Sequence, residues 1–404
     1  MSVLLIVKNL VLKNLPVQLL LCLIGGLLFG DFLSNHTVSL FYTASLLIKE
    51  LLMFALPIII FSYLLAALAS FDKQGPFLIV AILGLVILSN AVSVLTAFGV
   101  SHLVFPWLGG LSSQGLTAVN QSVHPVWSLG LSPFLSPDRA LLAGIVAGLL
   151  VNFIPSASLK HQAKSWAFQL RDWTTVGLKK GFIPFLPVYV LGFVLKLDRE
   201  GSLGVLIQSY GKIFVLGCLL IIFYLLFLYG LAAGFRKDLW VRYVREMLPA
   251  GLTGFSTMSS AATMPVTLEA TEKNLNDRSY ADFVIPVTVN IHLVGDGLSI
   301  SLTALALLIM SGHPFPDIAT YLTFTFYYCL AKFSCAGIPG GGVIVILPVI
   351  QAYLGLSPEM TTLLATIYIL QDPILTGANV MGNGAFALLT RRILNPLYNR
   401  PMEK

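Results

Sequence analysis

Ser256-Thr257-Met258-Ser259-Ser260-Ala261-Ala262-Thr263-Met264-Pro265 and Ser334-Cys335-Ala336-Gly337-Ile338-Pro339-Gly340-Gly341-Gly342 decide how this chain folds. Each run of small residues interrupts a segment that is apolar at both ends, about 240–273 and 318–353. Neither segment reads as a plain spanning helix, because non-helical backbone at membrane depth needs protein or a water-filled cavity to satisfy its polar groups. Two such interruptions in the C-terminal half point to re-entrant hairpins around a central site. The competing reading is a pair of kinked spans with Gly and Ser packing faces.

The rest of the chain supplies the membrane. Hydrophobic residues make up 57% of 404 and charged residues 10%, with a mean hydropathy of +0.87. Soluble domains carry about a quarter charged residues, so a water-soluble fold is excluded. Apolar runs long enough to cross a bilayer, about 20 residues each, read at roughly 14–33, 41–70, 77–105, 138–155, 168–196, 203–234, 280–311 and 358–390. The stretch from Ser101 to Pro137 is rich in Gly, Pro and Ser and reads as an irregular outer excursion. Lys8 and Lys13 precede an apolar run without a small-residue cleavage site, so that run reads as a first span and not as a signal. Cys22, Cys218, Cys329 and Cys335 show no metal-like spacing and read as unpaired thiols.

The net charge of +6 suggests nucleic acid only until the basic residues are located. They lie between apolar runs, as topology signals. With a cytoplasmic N-terminus and both interrupted segments folded back, the cytoplasmic side collects most of them, from Lys8 and Lys13 to Arg391 and Arg392. Counting the first interrupted segment as one full span would invert everything after it, so charge favours the hairpins.

This arrangement resembles the dicarboxylate/amino acid:cation symporter family, the glutamate-transporter homologues. Ser259 through Thr267 looks like that family's serine-rich first hairpin, ending in a Pro-Val-Thr run, and Ala336-Gly337-Ile338-Pro339-Gly340 looks like the tip of its second. Leu51 through Pro57 is similar to its second span, and Gln371-Asp372-Pro373-Ile374-Leu375, followed by Asn379 and Asn383, matches the start of its last helix. The resemblance implies an all-α elevator fold of about eight transmembrane helices plus two re-entrant hairpins, and a homotrimer in the inner membrane with both termini cytoplasmic. It implies scaffold elements at about 1–70, 106–160 and 160–234, and transport elements at about 77–105 and 237–395. It places a solute among Ser259, Ser260, Gly337, Ile338, Pro339, Gly340, Thr376, Asn379 and Asn383, and coupling functions on Ser89, Asn90, Asn290, His292, Asp296, Lys332, Asp372 and Asn383.

The departures are as informative as the matches. The family's last helix carries an aspartate for a substrate amine and, three residues on, an arginine for a side-chain carboxylate; Thr376 and Asn379 stand there. Without a bidentate guanidinium, acidic amino acids and dicarboxylates are expected to be poor substrates. The family's Asn-Met-Asp-Gly-Thr sodium motif falls on His292, Leu293, Val294, Gly295 and Asp296, and a further sodium carboxylate falls on Ala387. Any sodium would then rest on Asn290 and Asn383, with sodium or a proton as the coupling ion and no other cofactor. His292 and Asp296, four apart, would share one face of an unbroken helix. Lys332 either snorkels to an interface or acts inside the membrane.

The expected function is a secondary active symporter for a small polar solute such as an organic acid or amino acid, with altered sodium sites and proton coupling. The alternative is an uncoupled uniporter or channel-like relative. An intramembrane enzyme would need a nucleophile and base, for which Ser259 and His292 are the only candidates. Lipid and a second and third copy of the chain are the expected partners, and nucleic acid is not.

Overall fold

The computed structural model describes residues 15–69, 76–108, 123–335 and 339–394. Among them the chain is helical throughout, and α2 (Asn35–Ala69) sits at the middle of one group of helices. Around it pack α1 (Leu15–Phe29), α4 (Pro137–Asn152), α5 (Ala157–Gly181) and α6 (Leu186–Arg199), with α1 reaching α2 through α6. Glycines let these backbones approach, as small residues do where lipid offers no hydrophobic drive. A methyl group on Gly148 would run into Leu68 and the Leu64 carbonyl of α2, and one on Gly192 would meet Ser45 and the Phe41 carbonyl.

A second group forms around the last helix, α15 (Pro358–Ile393). It contains α3 (Pro76–Leu108), α7 (Ser202–Ala233), α8 (Lys237–Thr257), α9 (Ser260–Leu275), α10 (Arg278–Thr288), α11 (Val294–Met310), α12 (Ile318–Lys332), α13 (Gly341–Ile344) and α14 (Leu347–Leu354). Residues 203–233 lie within α7, which packs on α8, α11 and α15 as well as on α6. Across the two groups, Lys49 of α2 donates to the Thr362 hydroxyl of α15, and α1 and α6 touch α15.

Both interrupted segments fold back. Met258, in the left-handed region at φ 51°, ends α8, and the Ser259 hydroxyl caps α9 by accepting from Ala262 N at 3.2 Å. The two limbs pack together as hairpin 1. In hairpin 2, α12 stops at Lys332 and its return limb, α13 and α14, packs against it, with Gly340 at φ 74° before α13. The kinked-span reading does not hold for either.

Among the described residues, four helical stretches are long and apolar enough to span a membrane: Asn35–Ala69, Val80–Leu108, Ala157–Arg199 and Tyr210–Ala233. Shorter apolar helices include Val17–Phe32, Arg139–Asn152 and Val294–Met310. The chain is a multi-pass helical membrane protein. Two expected spans are not single helices. Residues 168–196 divide at the 3-10 turn Ile183–Phe185, where Pro184 and Pro187 withdraw backbone donors. Residues 280–311 divide between α10 and α11 at Val289–Leu293. The expected excursion begins later than Ser101, since α3 continues to Leu108. Its described part, from Val123 on, is tied down by Val126 N on Thr43 Oγ1 at 2.8 Å and Leu129 N on Glu50 at 2.8 Å. All four cysteines are free thiols.

Candidate functional site

The break between α10 and α11 aims the side chains that follow it. Leu293, not helical at φ −130°, precedes α11, so Asp296 lies in that helix's first turn, where the dipole favours an anion. Its carboxylate is 1% exposed. Oδ2 accepts from Lys332 Nζ at 2.7 Å and from Tyr368 OH at 3.1 Å, while Oδ1 accepts from Asn379 Nδ2 at 2.8 Å. Lys332 is 0% exposed and also donates to the Gly342 carbonyl at 2.9 Å. It does not snorkel. Its ammonium joins both limbs of hairpin 2 and ties them to α11.

Asn379 is fully engaged in this cluster. Its Oδ1 accepts from Gly295 N at 2.9 Å and Asp296 N at 3.2 Å while its amide nitrogen holds Asp296. Asn383 Nδ2, one turn on, donates to the Asn379 carbonyl at 3.0 Å. One turn before Thr376, Asp372 Oδ2 accepts from Gly340 N at 2.6 Å, and the Thr376 hydroxyl lies 2.9 Å from Oδ1. Pro339 and Gly340 are buried beside this bond; Gly337 and Ile338 lie outside the described residues.

Hairpin 1 reaches the same helix from the other side. A methyl group on Gly251 would meet Met381, and one on Gly254 would meet Val380 and the Thr376 carbonyl. Rising numbers on α8 thus match falling numbers on α15, and the tip at Met258–Ser260 runs towards the Asp372–Thr376 level. Ser260 is buried and Ser259 half-buried.

His292 and Asp296 do not share a face, because the helix breaks between them. His292 Nε2 meets Ser89 Oγ at 2.8 Å, and the ring lies 4.3 Å from Phe386. Its partner is therefore Ser89, not Ser259. Asn90 holds the break itself, donating to the Ile291 carbonyl at 2.7 Å and accepting from Leu293 N at 3.0 Å. Asn290 Oδ1 is buried without a hydrogen bond among the described residues, and the buried Asn383 side chain lies against His292. Amide oxygens of this kind suit a hard cation. Val294 and Ala387, both buried, offer no side-chain oxygen.

Two participants escaped the sequence reading. Tyr368 stands four residues before Asp372 on the stripe that continues through Thr376, Asn379 and Asn383, so helical spacing could have found it. Gly342 takes part through its carbonyl, which residue type cannot signal.

Residues 15–393 match the sodium:dicarboxylate symporter family. The chain is 24% identical over 385 residues to the serine/threonine transporter SstT of Acinetobacter baumannii (strain AYE), covering 91% of this chain and 93% of that one. It is 27% identical over 300 residues to excitatory amino acid transporter 1 of Homo sapiens, covering 72% of this chain and 52% of the relative. The chain therefore belongs to the sodium:dicarboxylate symporter family, a family of transporters and not of enzymes.

Proposed function

We propose that this protein is a secondary active symporter for a small polar solute without a second carboxylate, such as a small hydroxy amino acid. The observation that carries the reading is Asn379. It stands where a guanidinium would receive a side-chain carboxylate, and its amide is consumed by Asp296 and two backbone N–H groups. The solute binds where the two hairpin tips meet the Thr376, Asn379 and Asn383 face of α15. The similarity to a serine/threonine transporter supports the same solute class.

In this reading hairpin 2 is the gate. The Lys332–Asp296 pair seals it, and a solute enters by taking over some of those bonds. Sodium, where it is used, rests on Asn290 and Asn383, and a proton supplements it. The α15 group, α7 included, carries the solute by an elevator movement against the α2 group, within a trimer.

Uptake into proteoliposomes tests this. Serine and threonine are expected to accumulate against their gradients under an imposed sodium or pH gradient, while glutamate and succinate are not. Asn383→Leu removes a buried amide and is expected to abolish accumulation with the folded protein retained. Robust, saturable glutamate uptake overturns the solute class. Equilibration without accumulation under either gradient favours the uncoupled uniporter.

A further inference from the structure

Two buried carboxylates face hairpin 2, and their surroundings differ. Asp296 has an ammonium, a phenol, an amide and a helix N-terminus around it. Asp372, 3% exposed, has one backbone N–H from Gly340 at 2.6 Å and one hydroxyl from Thr376 at 2.9 Å, both neutral. The charged groups within its reach are Asp296 on α11 and Lys332 on α12. Tyr368 on its own helix is the further titratable neighbour. Hairpin 1 has no titratable side chain between Met247 and Leu268.

Lys332 is already committed to Asp296 and the Gly342 carbonyl. Among the described residues the site thus holds two carboxylates and one ammonium, leaving one negative charge with no counter-charge. A buried charge without a partner neutralises itself in preference to remaining charged. Where two carboxylates sit in such unequal environments, the environments assign their protonation states.

We infer that Asp372 is the proton-binding site of the closed gate, taking one proton from solvent as hairpin 2 closes and returning it as the hairpin opens. The bond geometry suits the acid: Oδ2 stays the acceptor of Gly340 N–H, while a proton on Oδ1 is donated to Thr376 Oγ, a hydroxyl that can rotate to accept it. Opening withdraws Gly340 and admits water, which restores the carboxylate. Closure takes up a proton, so low pH favours the closed gate and high pH the open one. The inference rests on the reading of hairpin 2 as a gate, and on solute transport only where this proton is counted as a coupling ion.

Its test needs no solute. The full chain in lipid nanodiscs is read by infrared difference spectroscopy for a protonated carboxyl, and by site-resolved maleimide labelling of Cys335, which is 2% exposed beside the hairpin 2 tip. The expected result is a carboxylic acid band that disappears as pH rises, is absent in Asp372→Asn, weakens in Asp296→Asn, where Lys332 is left to balance Asp372, and shifts in Thr376→Val. Labelling of Cys335 should climb with pH more steeply in the native chain than in Asp372→Asn, by up to about tenfold per pH unit for one linked proton. If Asp372→Asn does not fold, the native titration and the Thr376→Val shift decide. A native chain with no acid band at any pH, a band indifferent to Thr376→Val, or a labelling profile unchanged by Asp372→Asn overturns the inference and leaves the transporter reading standing. Absence of solute uptake alongside a band that behaves as expected overturns that reading and not this one.

Discussion

Among the described residues, the tip of hairpin 1 shows polar groups bonded to one another, whereas hairpin 2 sends bonds to the helices opposite. Thr257 meets Thr263 at 3.0 Å, and Ser259 caps its own helix. Gly340 instead reaches Asp372, and Lys332 reaches Asp296, 36 residues away in sequence. The limb behind hairpin 1 is also wedged onto α15 through Gly251 and Gly254. A tip with such local bonds, pinned by its limb, suits a wall. One whose described bonds include two that cross to other helices, beside the internal Lys332–Gly342 bond, suits the gate proposed above, because it cannot move without exchanging them.

The difference can be broken most severely at Lys332. Lys332→Met leaves Asp296 buried and uncompensated, an expected loss of about 3–5 kcal/mol read by chemical denaturation of the purified protein. Adding Asp296→Asn should recover part of it, and a double variant no better than the single one would mean that the pair is not the seal. Gly342→Ala comes next. Its methyl group would strike Tyr368 OH and Asp296 Oδ2, two atoms held by their own bonds, for an expected cost of about 1–3 kcal/mol. Gly84→Ala, inside α3 where nothing stands within 4 Å, is the matching control and should shift stability the other way, by about 0.5–1 kcal/mol.

Smaller effects sharpen the contrast. Asn379→Leu strands the N–H groups of Gly295 and Asp296, worth about 1–3 kcal/mol, and should raise Cys335 labelling by freeing one side of Asp296. Ser259→Ala removes a helix cap at hairpin 1, a change of about 1 kcal/mol in the denaturation curve. It should leave Cys335 labelling at the native rate. Coupling between those two variants in a double-mutant cycle would show that hairpin 1 is a second gate and not a wall.

Much of this was legible in the chain because small residues in an apolar run have few structural uses at membrane depth. Ser256 through Pro265 and Ser334 through Gly342 announced the reversals, and Asn379 announced the missing guanidinium. Apolar content could not reveal the division at Ile183–Phe185, since both halves satisfy the same length and hydropathy. Spacing put His292 with Asp296 and failed, because an i, i+4 relation holds only on unbroken helix and Asn90 stabilises the break from another helix. The destination of Lys332 was out of reach for a related reason. Its two sequence readings, interface or interior, differ only by a partner that folding brings close.

The seam between the two helix groups has one more consequence. Lys49 meets Thr362 at the start of α15, while α1 and the stretch of α6 from Leu186 through Leu195, which also touch α15, are mainly aliphatic and aromatic. Dispersion between such surfaces is non-directional and its many small terms average out on sliding, so in the proposed elevator movement this boundary would act as a slip plane, with the Lys49–Thr362 and Tyr189–Thr366 bonds as detents. Acyl-chain order, more than any bond in the protein, would then govern how fast the two groups pass each other.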